Sequence, residues 1–399
     1  MNVLVLNCGS SSIKYQVLNM DAEPKLLAKG IVEKVGLTLG SFTYKALGKD
    51  KIVIEKQIPN HSAGMDLILK MITDKSHGIL KSLNEINAVG HRVAHGGEFF
   101  TESVLINKDV KEKINKCSEL APLHNPANLI GIETMEELLP NAPQVAVFDT
   151  SFHHTMPAKA YTYAIPYKYY TDYKIRRYGF HGTSHKFVAE KACNILGCNI
   201  KDKKIITCHL GNGASITAVN KGESVDTSMG FTPVSGLVMG TRAGNLDLGV
   251  LLYIAKKENL DIAGMNDLIN KKSGVLGISG ISSDFRDLSE ASEKGNKRAT
   301  IALDVFSYSV KKYIGAYAAI MNGVDIIVFT GGIGENDTEV REEVCKDMNY
   351  LGIKIDNELN SKSRGKDTIL SIPESKTKVL LVTTDEELVI AMDTFRLSK

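Results

Sequence analysis

Three runs of apolar residues each end in a glycine turn: Val3-Leu4-Val5-Leu6 before Asn7-Cys8-Gly9-Ser10-Ser11-Ser12, Ile205 to Leu210 before Gly211-Asn212-Gly213, and Ile326-Ile327-Val328-Phe329 before Thr330-Gly331-Gly332-Ile333-Gly334-Glu335-Asn336. Short apolar runs bounded by glycine predict buried strands. After the first turn Ile13, Tyr15 and Val17 alternate with Ser12, Lys14 and Gln16, a returning strand that puts Lys14 on the face of Ser12. The second turn is followed by the same alternation, Ile216 and Ala218 against Ser215 and Thr217. The recurrence predicts duplicated lobes. Leu83 to Val93 and Gln144 to Phe148 read as strands with polar tips, His91-Arg92-Val93-Ala94-His95-Gly96-Gly97 and Asp149-Thr150-Ser151-Phe152-His153-His154. Open α/β sheets place ligands at such tips. A helical stripe runs from Ala299 to Met321 through Ala302, Val305, Phe306, Val310, Tyr313, Ile314 and Tyr317, closed by Gly323. Downstream, Asn336 with Glu339 reads as an N-cap pair, Val340, Val344 and Met348 continue one face, and a strand Val379 to Val382 precedes a last helix.

Each glycine turn is able to aim backbone N–H groups at phosphate oxygens, so three of them predict one nucleotide held from several sides. With 399 residues the chain exceeds one core, and about 150 residues per domain favours two or three. Hydrophobic residues at 43% and charged residues at 24% exclude a disordered chain. A net charge of +2 gives no reason to expect nucleic acid or an anionic membrane as partner, so any anion site is local. The six cysteines lack zinc or thioredoxin spacing and read as reduced thiols. Neither a signal-peptide pattern nor a membrane span is seen, and the expected location is cytoplasmic.

Asn7, Ser10, Ser12 and Lys14 surround one tight turn with an amide, hydroxyls and a cation, but no Walker pattern G-x-x-x-x-G-K-[ST] occurs anywhere. The Gly332 to Asp337 run matches only half of a dinucleotide fingerprint, because Asp337 stands where the third glycine belongs. Arg92 and Arg242 lie in glycine-flanked loops, where a guanidinium fork suits carboxylate or phosphoryl oxygens. Asp284-Phe285-Arg286 follows a glycine-serine loop, Ser273 to Ser283, and reads equally as a ligand contact or a helix cap. His181 and His185 are four apart, but the Glu of H-E-x-x-H is missing and Gly182 weakens a helix there, which argues against zinc. No G-x-S-x-G nucleophile elbow is present.

These segments, with Leu123-His124-Asn125-Pro126, Arg177-Tyr178-Gly179-Phe180-His181-Gly182-Thr183-Ser184-His185 and Asp226-Thr227-Ser228-Met229-Gly230-Phe231-Thr232-Pro233, occur in an order that resembles the acetate kinase family of the acetate and sugar kinase, chaperone and actin superfamily. The resemblance covers nearly the whole chain. It implies an α/β fold of two lobes with duplicated βββαβαβα topology, actin-like and ribonuclease H-like, with ATP in the interlobe cleft. The first lobe would hold residues 1–150 and 385–399. The second, 151–384, would bind nucleotide and form a homodimer. By the same resemblance Asp149, His181, Arg242 and Arg92 form the catalytic set. Arg92 meets the acyl substrate, and Val93, Leu123, Phe180 and Pro233 form a small apolar pocket for its methyl group. Lys14, His209, Leu210, Gly211, Asn212, Gly213, Asp284, Phe285, Arg286, Gly332, Ile333, Gly334, Glu335 and Asn336 serve ATP. Asn7 and Glu386 serve magnesium, with manganese as the alternative.

The implied reaction is reversible transfer of the ATP γ-phosphoryl group to acetate, giving acetyl phosphate and ADP. Acetate has a pKa near 4, so at neutral pH it is already the nucleophile and needs no strong base. Asp149 therefore suits orienting magnesium or Arg92 better than taking a proton. The demand is for positive charge, because a carboxylate approaching a triphosphate repels it. A sugar kinase of the same superfamily would need an Asp base and hydroxyl partners, and a chaperone-like or filament ATPase would need modules for which the chain has no room after Glu386. Propionate kinase is the nearest alternative, since one methylene is worth only about 1 to 3 kcal/mol in an apolar pocket.

Overall fold

The first apolar run forms β1 (Asn2–Cys8) in a computed structural model that describes residues 1–399. Val3, Leu4, Val5 and Leu6 are all buried, because β1 lies inside a sheet that is covered on both faces. It pairs antiparallel with β2 (Ser12–Asn19), from Asn2 opposite Asn19 to Cys8 opposite Ile13. Ile13, Tyr15 and Val17 face the core and Lys14 is exposed, as the alternation predicts. The chain divides into two compact units, one of Met1–Ser151 with Asp385–Lys399, the other of Phe152–Thr384.

The first unit adds β3 (Lys25–Glu33), β4 (Gly40–Ala46), β5 (Ile52–Lys56), β6 (Ile86–Val93), β7 (Val104–Leu105) and β8 (Gln144–Phe148), in the sheet order β5-β4-β3-β2-β1-β6-β8-β7. β6 is parallel to β1 and β8 parallel to β6, while β1, β2 and β3 form an antiparallel meander. Leu83–Glu85, expected as strand, is a short 3-10 turn ahead of β6. One face of the sheet packs against the helices His61–Ile72 and Asn125–Leu138 through Met65, Ile68 and Met135. The other face, with Val3, Val5, Val145 and Val147, is covered by Ile390 and Ala391 of the C-terminal helix Glu386–Leu397.

The second unit repeats the plan. Its strands are β9 (Lys204–Leu210), β10 (Ala214–Asn220), β11 (Glu223–Thr227), β12 (Ile326–Thr330), β13 (Thr368–Ile369) and β14 (Lys378–Leu381), in the order β11-β10-β9-β12-β14-β13. β12 runs parallel to β9 and β14 parallel to β12, so β11-β10-β9-β12-β14 repeats β3-β2-β1-β6-β8. The duplicated α/β topology read from the recurring turns is therefore present. One face takes Ala302, Phe306, Val310, Ile314 and Tyr317 of the long helix Lys297–Met321. The opposite face takes Val188, Ala189 and Ala192 of the helix Gly182–Leu196. Val305 falls outside the stripe and is 37% exposed.

Several local expectations shift. The run Gly331–Asn336 is a short helix, and only Gly331 takes a positive φ, +76°, its α-carbon pressed against the end of β9. The following helix, Thr338–Cys345, is capped by Asp337, whose carboxylate accepts from Val340 N at 3.0 Å, one residue after the expected Asn336. Asn336 instead donates to Gly332 O at 2.9 Å. The glycine-serine loop contains a helix, Gly274–Ser279, and Asp284 caps the next one, Phe285–Glu293.

Arg341, fully buried on the Thr338–Cys345 helix, ties these pieces together. Its guanidinium donates to Asn360 Oδ1 at 2.8 Å, Gly334 O at 2.9 Å and Ser363 O at 2.7 Å. Burial pulls its pKa down to about 10, and it has no carboxylate within ion-pair distance. Truncation would leave buried acceptors unpaired at about 1–3 kcal/mol each, so Arg341→Ala is expected to cost about 3 kcal/mol or more. Urea unfolding would register this as a lower midpoint at unchanged slope, whereas a wild-type midpoint would contradict it.

Candidate active site

In the first unit the parallel strands β1, β6 and β8 end on one edge of the sheet, with Leu6 opposite His91 and Val93 opposite Phe148. Asn7, Arg92 and Asp149, the residues at those ends, consequently converge. Arg92 donates to Asp149 through Nε at 3.0 Å and Nη2 at 2.5 Å, and to Asn7 Oδ1 through Nη1 at 3.2 Å. Asp149 is almost fully buried, while Arg92 keeps part of its fork exposed. Burial alone would weaken the Arg92 cation, but the attraction and hydrogen bonds of Asp149 more than reverse this and raise its pKa. Lys14 stands opposite Asn7 on β2. Glu386 opens the C-terminal helix and is half-buried. Its carboxyl is pushed up to about 7, first by burial and then by the Asp149 charge, with Arg92 and Lys14 opposing.

The loops behind these residues are held by two buried asparagines of the Asn125–Leu138 helix. Asn128 donates to Cys8 O at 2.7 Å and accepts from Ala94 N at 3.0 Å, and Asn125 accepts from His95 N at 3.1 Å and donates to His95 O at 2.9 Å. Asn128 had no signal in the sequence beyond its place one turn after the His124-Asn125-Pro126 segment.

In the second unit β9, β12 and β14 likewise end together, with His209 opposite Thr330. His181 caps the Gly182–Leu196 helix in the left-handed region, φ 55°, a strained conformation of the kind that gathers at functional sites. The expectation that Gly182 would weaken a helix here fails. Gly182 occupies the first helical position, where its missing side chain costs little, and Ser184, His185 and Val188 bury the rest. The His181 ring stacks on His209 at 4.3 Å, and His209 Nδ1 shares a 2.8 Å hydrogen bond with Ser184 Oγ. No group of three His, Cys, Asp or Glu side chains is arranged to hold a metal.

Arg242 projects from the glycine-flanked loop to the second glycine turn. A side-chain carbon on Gly213 would lie 3.3 Å from Arg242 Nη1 and 3.7 Å from His181 Nε2, so both tips face the same spot and glycine leaves it open. Arg242 is half-buried, no carboxylate is within ion-pair distance, and burial pulls its pKa below the ordinary value. An uncompensated, partly desolvated cation beside a neutral or cationic partner is an anion site.

A cavity of about 840 Å³ in this unit is lined by Asn212, Asp284, Phe285, Arg286, Gly332, Ile333 and Asn336, joined by Arg364 and Thr338. It brings together residues from three separate predicted segments. His209, Leu210, Gly211, Gly213, Gly334 and Glu335 do not line it. Leu210 is core, and Glu335 turns its carboxylate inward to accept from Gly331 N at 3.0 Å and Thr384 N at 3.1 Å. Asp284 and Arg286 pair at the rim, 2.6 Å apart. A neighbouring cavity of about 930 Å³ is lined by Asp304, Glu339, Glu342, Glu343 and Asp347 among others, and its acidic wall disfavours phosphate.

The four residues of the expected acyl pocket are placed unevenly. Val93 is fully buried in the first unit among Phe100, Val110, Ile132 and Phe148, and Leu123 of the same unit is 69% exposed. In the second unit Phe180 belongs to the core and Pro233 is half-buried.

The acetokinase family model matches residues 2–392. The acetate kinase of Acetivibrio thermocellus is 55% identical over 399 residues, covering all of both chains. Among solved structures, the acetate kinase of Porphyromonas gingivalis superposes with a TM-score of 0.97 at 51% identity and covers 100% of each chain. A propionate kinase from Francisella tularensis subsp. tularensis gives 0.92 at 41% identity over 99% of each chain. With a paired arginine in one unit, an unpaired one in the other, and relatives that match from end to end, the chain belongs to the acetokinase family.

Proposed function

We propose that this acetokinase catalyses reversible transfer of the γ-phosphoryl group of ATP to acetate, giving acetyl phosphate and ADP by direct in-line displacement. The observation that carries the reading is the meeting of Arg242 Nη1 and His181 Nε2 over Gly213, two donors aimed at one place where nothing in the protein compensates them. The transferring phosphoryl group spreads negative charge over three oxygens, and donors already in position stabilise it without rearrangement. Arg92, oriented by Asp149 and Asn7, would grip the acetate carboxylate with the edge that remains exposed. Asp149 then acts by holding Arg92, and acetate needs no proton removed. The cavity lined by Phe285, Ile333 and Asn212 suits the adenosine, with an apolar wall and few polar groups. Val93, Leu123, Phe180 and Pro233 remain the proposed methyl pocket.

Asn7 and Glu386 fit a divalent magnesium ion. Both offer hard oxygen, and the raised Glu386 pKa reports a carboxylate excess beside Asp149 that a cation would relieve. Two protein oxygens, rather than a full cage, suit an ion that takes its other ligands from phosphate and water. Bound there, magnesium would supply charge neutralisation to the phosphates. Asn7→Ala and Glu386→Ala should each raise the magnesium requirement more than the acetate requirement. Identical magnesium titrations in wild type and both variants would count against the assignment.

The second unit also carries the proposed homodimer surface. The helix Leu248–Glu258 has no buried residue, and Leu248, Leu252 and Tyr253 are 76%, 67% and 63% exposed. So much apolar surface on one helix is costly in water unless a second copy covers it. The six unpaired thiols support a reducing, cytoplasmic setting.

Hydroxamate trapping of acyl phosphate, with ATP, magnesium and acids from formate to butyrate, tests the activity. Acetate is expected to give the highest kcat/KM, and propionate a lower one, because a methylene changes binding by only about 1 to 3 kcal/mol. Faster turnover of propionate or butyrate would move the chain to the propionate reading, and no product with any short acid would refute the proposal.

A further inference from the structure

We propose that His185 is a positioning residue that sets the tautomer of His181 through Ser215, so that His181 presents a fixed Nε2–H donor toward Gly213. The inference rests on the reading of His181 as a donor to the phosphoryl group, and deepens it. Four side chains form one line of hydrogen bonds. Thr207 Oγ1 lies 2.7 Å from His185 Nδ1, His185 Nε2 lies 2.7 Å from Ser215 Oγ, and Ser215 Oγ lies 2.9 Å from His181 Nδ1. Thr207, His185 and Ser215 are completely buried, so each proton in the line must be used where it stands.

Only two orderings of the protons are consistent with one proton per contact. In the first, Thr207 O–H donates to His185 Nδ1, His185 Nε2–H donates to Ser215 Oγ, and Ser215 O–H donates to His181 Nδ1. His181 then carries its proton on Nε2, the nitrogen that shares the Gly213 position with Arg242. In the second every bond reverses: His181 Nδ1–H donates to Ser215, Ser215 to His185 Nε2, and His185 Nδ1–H to Thr207 Oγ1. The Thr207 hydroxyl proton is then left without an acceptor, since His185 is its only side-chain or main-chain hydrogen-bond partner. A buried donor without a partner costs about 1–3 kcal/mol, which favours the first ordering by roughly a factor of ten or more. Neutrality of His185 makes the count valid. Burial, then the neighbouring His153 and His209, hold its pKa well below the ordinary histidine value, so it has one proton to place.

The backbone supports the same reading. His185 N donates to His181 O at 2.9 Å in the first turn of the Gly182–Leu196 helix, so the two rings keep their spacing through the helix rather than through a mobile loop. Because every member of the line accepts on one side and donates on the other, protonation of His181 at Nδ1 would require the whole line to reverse.

Nitrogen-15 NMR of histidine-labelled protein, with His181→Gln to assign the signal, reads the tautomer directly. Wild type should show His181 with a proton on Nε2 and a lone pair on Nδ1; a proton on Nδ1 overturns the proposal. Thr207→Val keeps the shape and removes the hydroxyl, whereas Thr207→Ser keeps the hydroxyl and loses a methyl group. A tautomer role predicts that Thr207→Val mixes the His181 tautomers and lowers kcat about ten- to a hundredfold at similar KM for ATP, the usual scale for partners that orient a functional histidine, while Thr207→Ser stays near wild type. The opposite order, with the valine variant active and the serine variant impaired, assigns the line to packing and overturns the proposal. Full kcat in His181→Gln would remove His181 from the chemistry and so defeat the functional reading itself, whatever its tautomer.

Discussion

Arg92→Ala and Arg242→Ala should each lower kcat for acetyl phosphate formation on the order of 10³-fold, the range seen for arginines that offset charge in phosphoryl transfer. The two losses should differ in character. Arg242 has no carboxylate partner, so its removal deletes a transition-state donor and leaves the resting protein relieved of a partly desolvated cation. Its melting temperature should hold or rise. Arg92 is doubly bonded to Asp149, and its removal leaves a nearly fully buried carboxylate without its cation. That variant should also be less stable, and Arg92→Ala with Asp149→Asn should recover stability without recovering turnover. Guanidine added to the alanine variants should restore part of the rate. If both single variants retain more than about a tenth of wild-type kcat, a loss below that of one ordinary transition-state donor, the charge-offset mechanism is wrong.

The protein should lose stability steeply as pH falls from about 6.5 toward 4. Burial holds five histidines neutral: the pKa values of His91, His153 and His209 are pulled down to about 4, that of His95 to about 3, and that of His185 well below the ordinary value. Unfolded, each would titrate near 6.5. Between the two values the unfolded chain binds more protons than the folded one, so stability rises with pH across the window and is lost as pH falls through it. At pH 5 each group would have given up roughly 2 kcal/mol, and five together approach the whole stability of an ordinary domain. Glu386 works the other way. Its folded pKa of about 7 lies above that of a free carboxyl, so its contribution declines as pH rises from about 4.5 to 7, but one group cannot cancel five. Melting temperatures from pH 8 to pH 4.5 test this, and an unchanged value down to pH 5 would contradict it. His91 and His95 belong to the first unit and the other three to the second, so neither unit should survive alone.

The apolar runs of β1, β8 and β12 were legible in the sequence because a central strand in a covered sheet must be apolar on both faces, and little else in the chain has that pattern. The long helix was legible for a similar reason, its stripe lying against one broad core. The polar part of the site was harder to read. Period-two alternation places Ser215 and Thr217 on the face opposite Ile216 and Ala218, and a strand with one wet face would expose them. Both are instead fully buried, because the Gly182–Leu196 helix covers that face and supplies histidines that satisfy their hydroxyls. The partner that makes a buried serine affordable is thirty residues away, and no local pattern announces it. Asn128 is similar, its two hydrogen bonds joining loops from opposite parts of the unit. The displacement of the cap from Asn336 to Asp337 has a local cause: the glycine run became a helix of its own, and the chain needed a break before the next one. The resemblance to a family supplied the roles of the site residues, which composition and spacing could not.

The return of the chain to its first unit has a consequence for how the protein is made. Val3, Val5, Val145 and Val147 are covered by Ile390 and Ala391, which leave the ribosome last. At about 5–20 residues per second, synthesis of Phe152–Thr384 occupies on the order of tens of seconds. During that interval the first sheet has one face packed and the other bare, with an apolar surface open to any neighbour. The first unit to be translated is thus the last to be finished, and a chain arrested anywhere before its final helix is a chaperone client rather than half an enzyme.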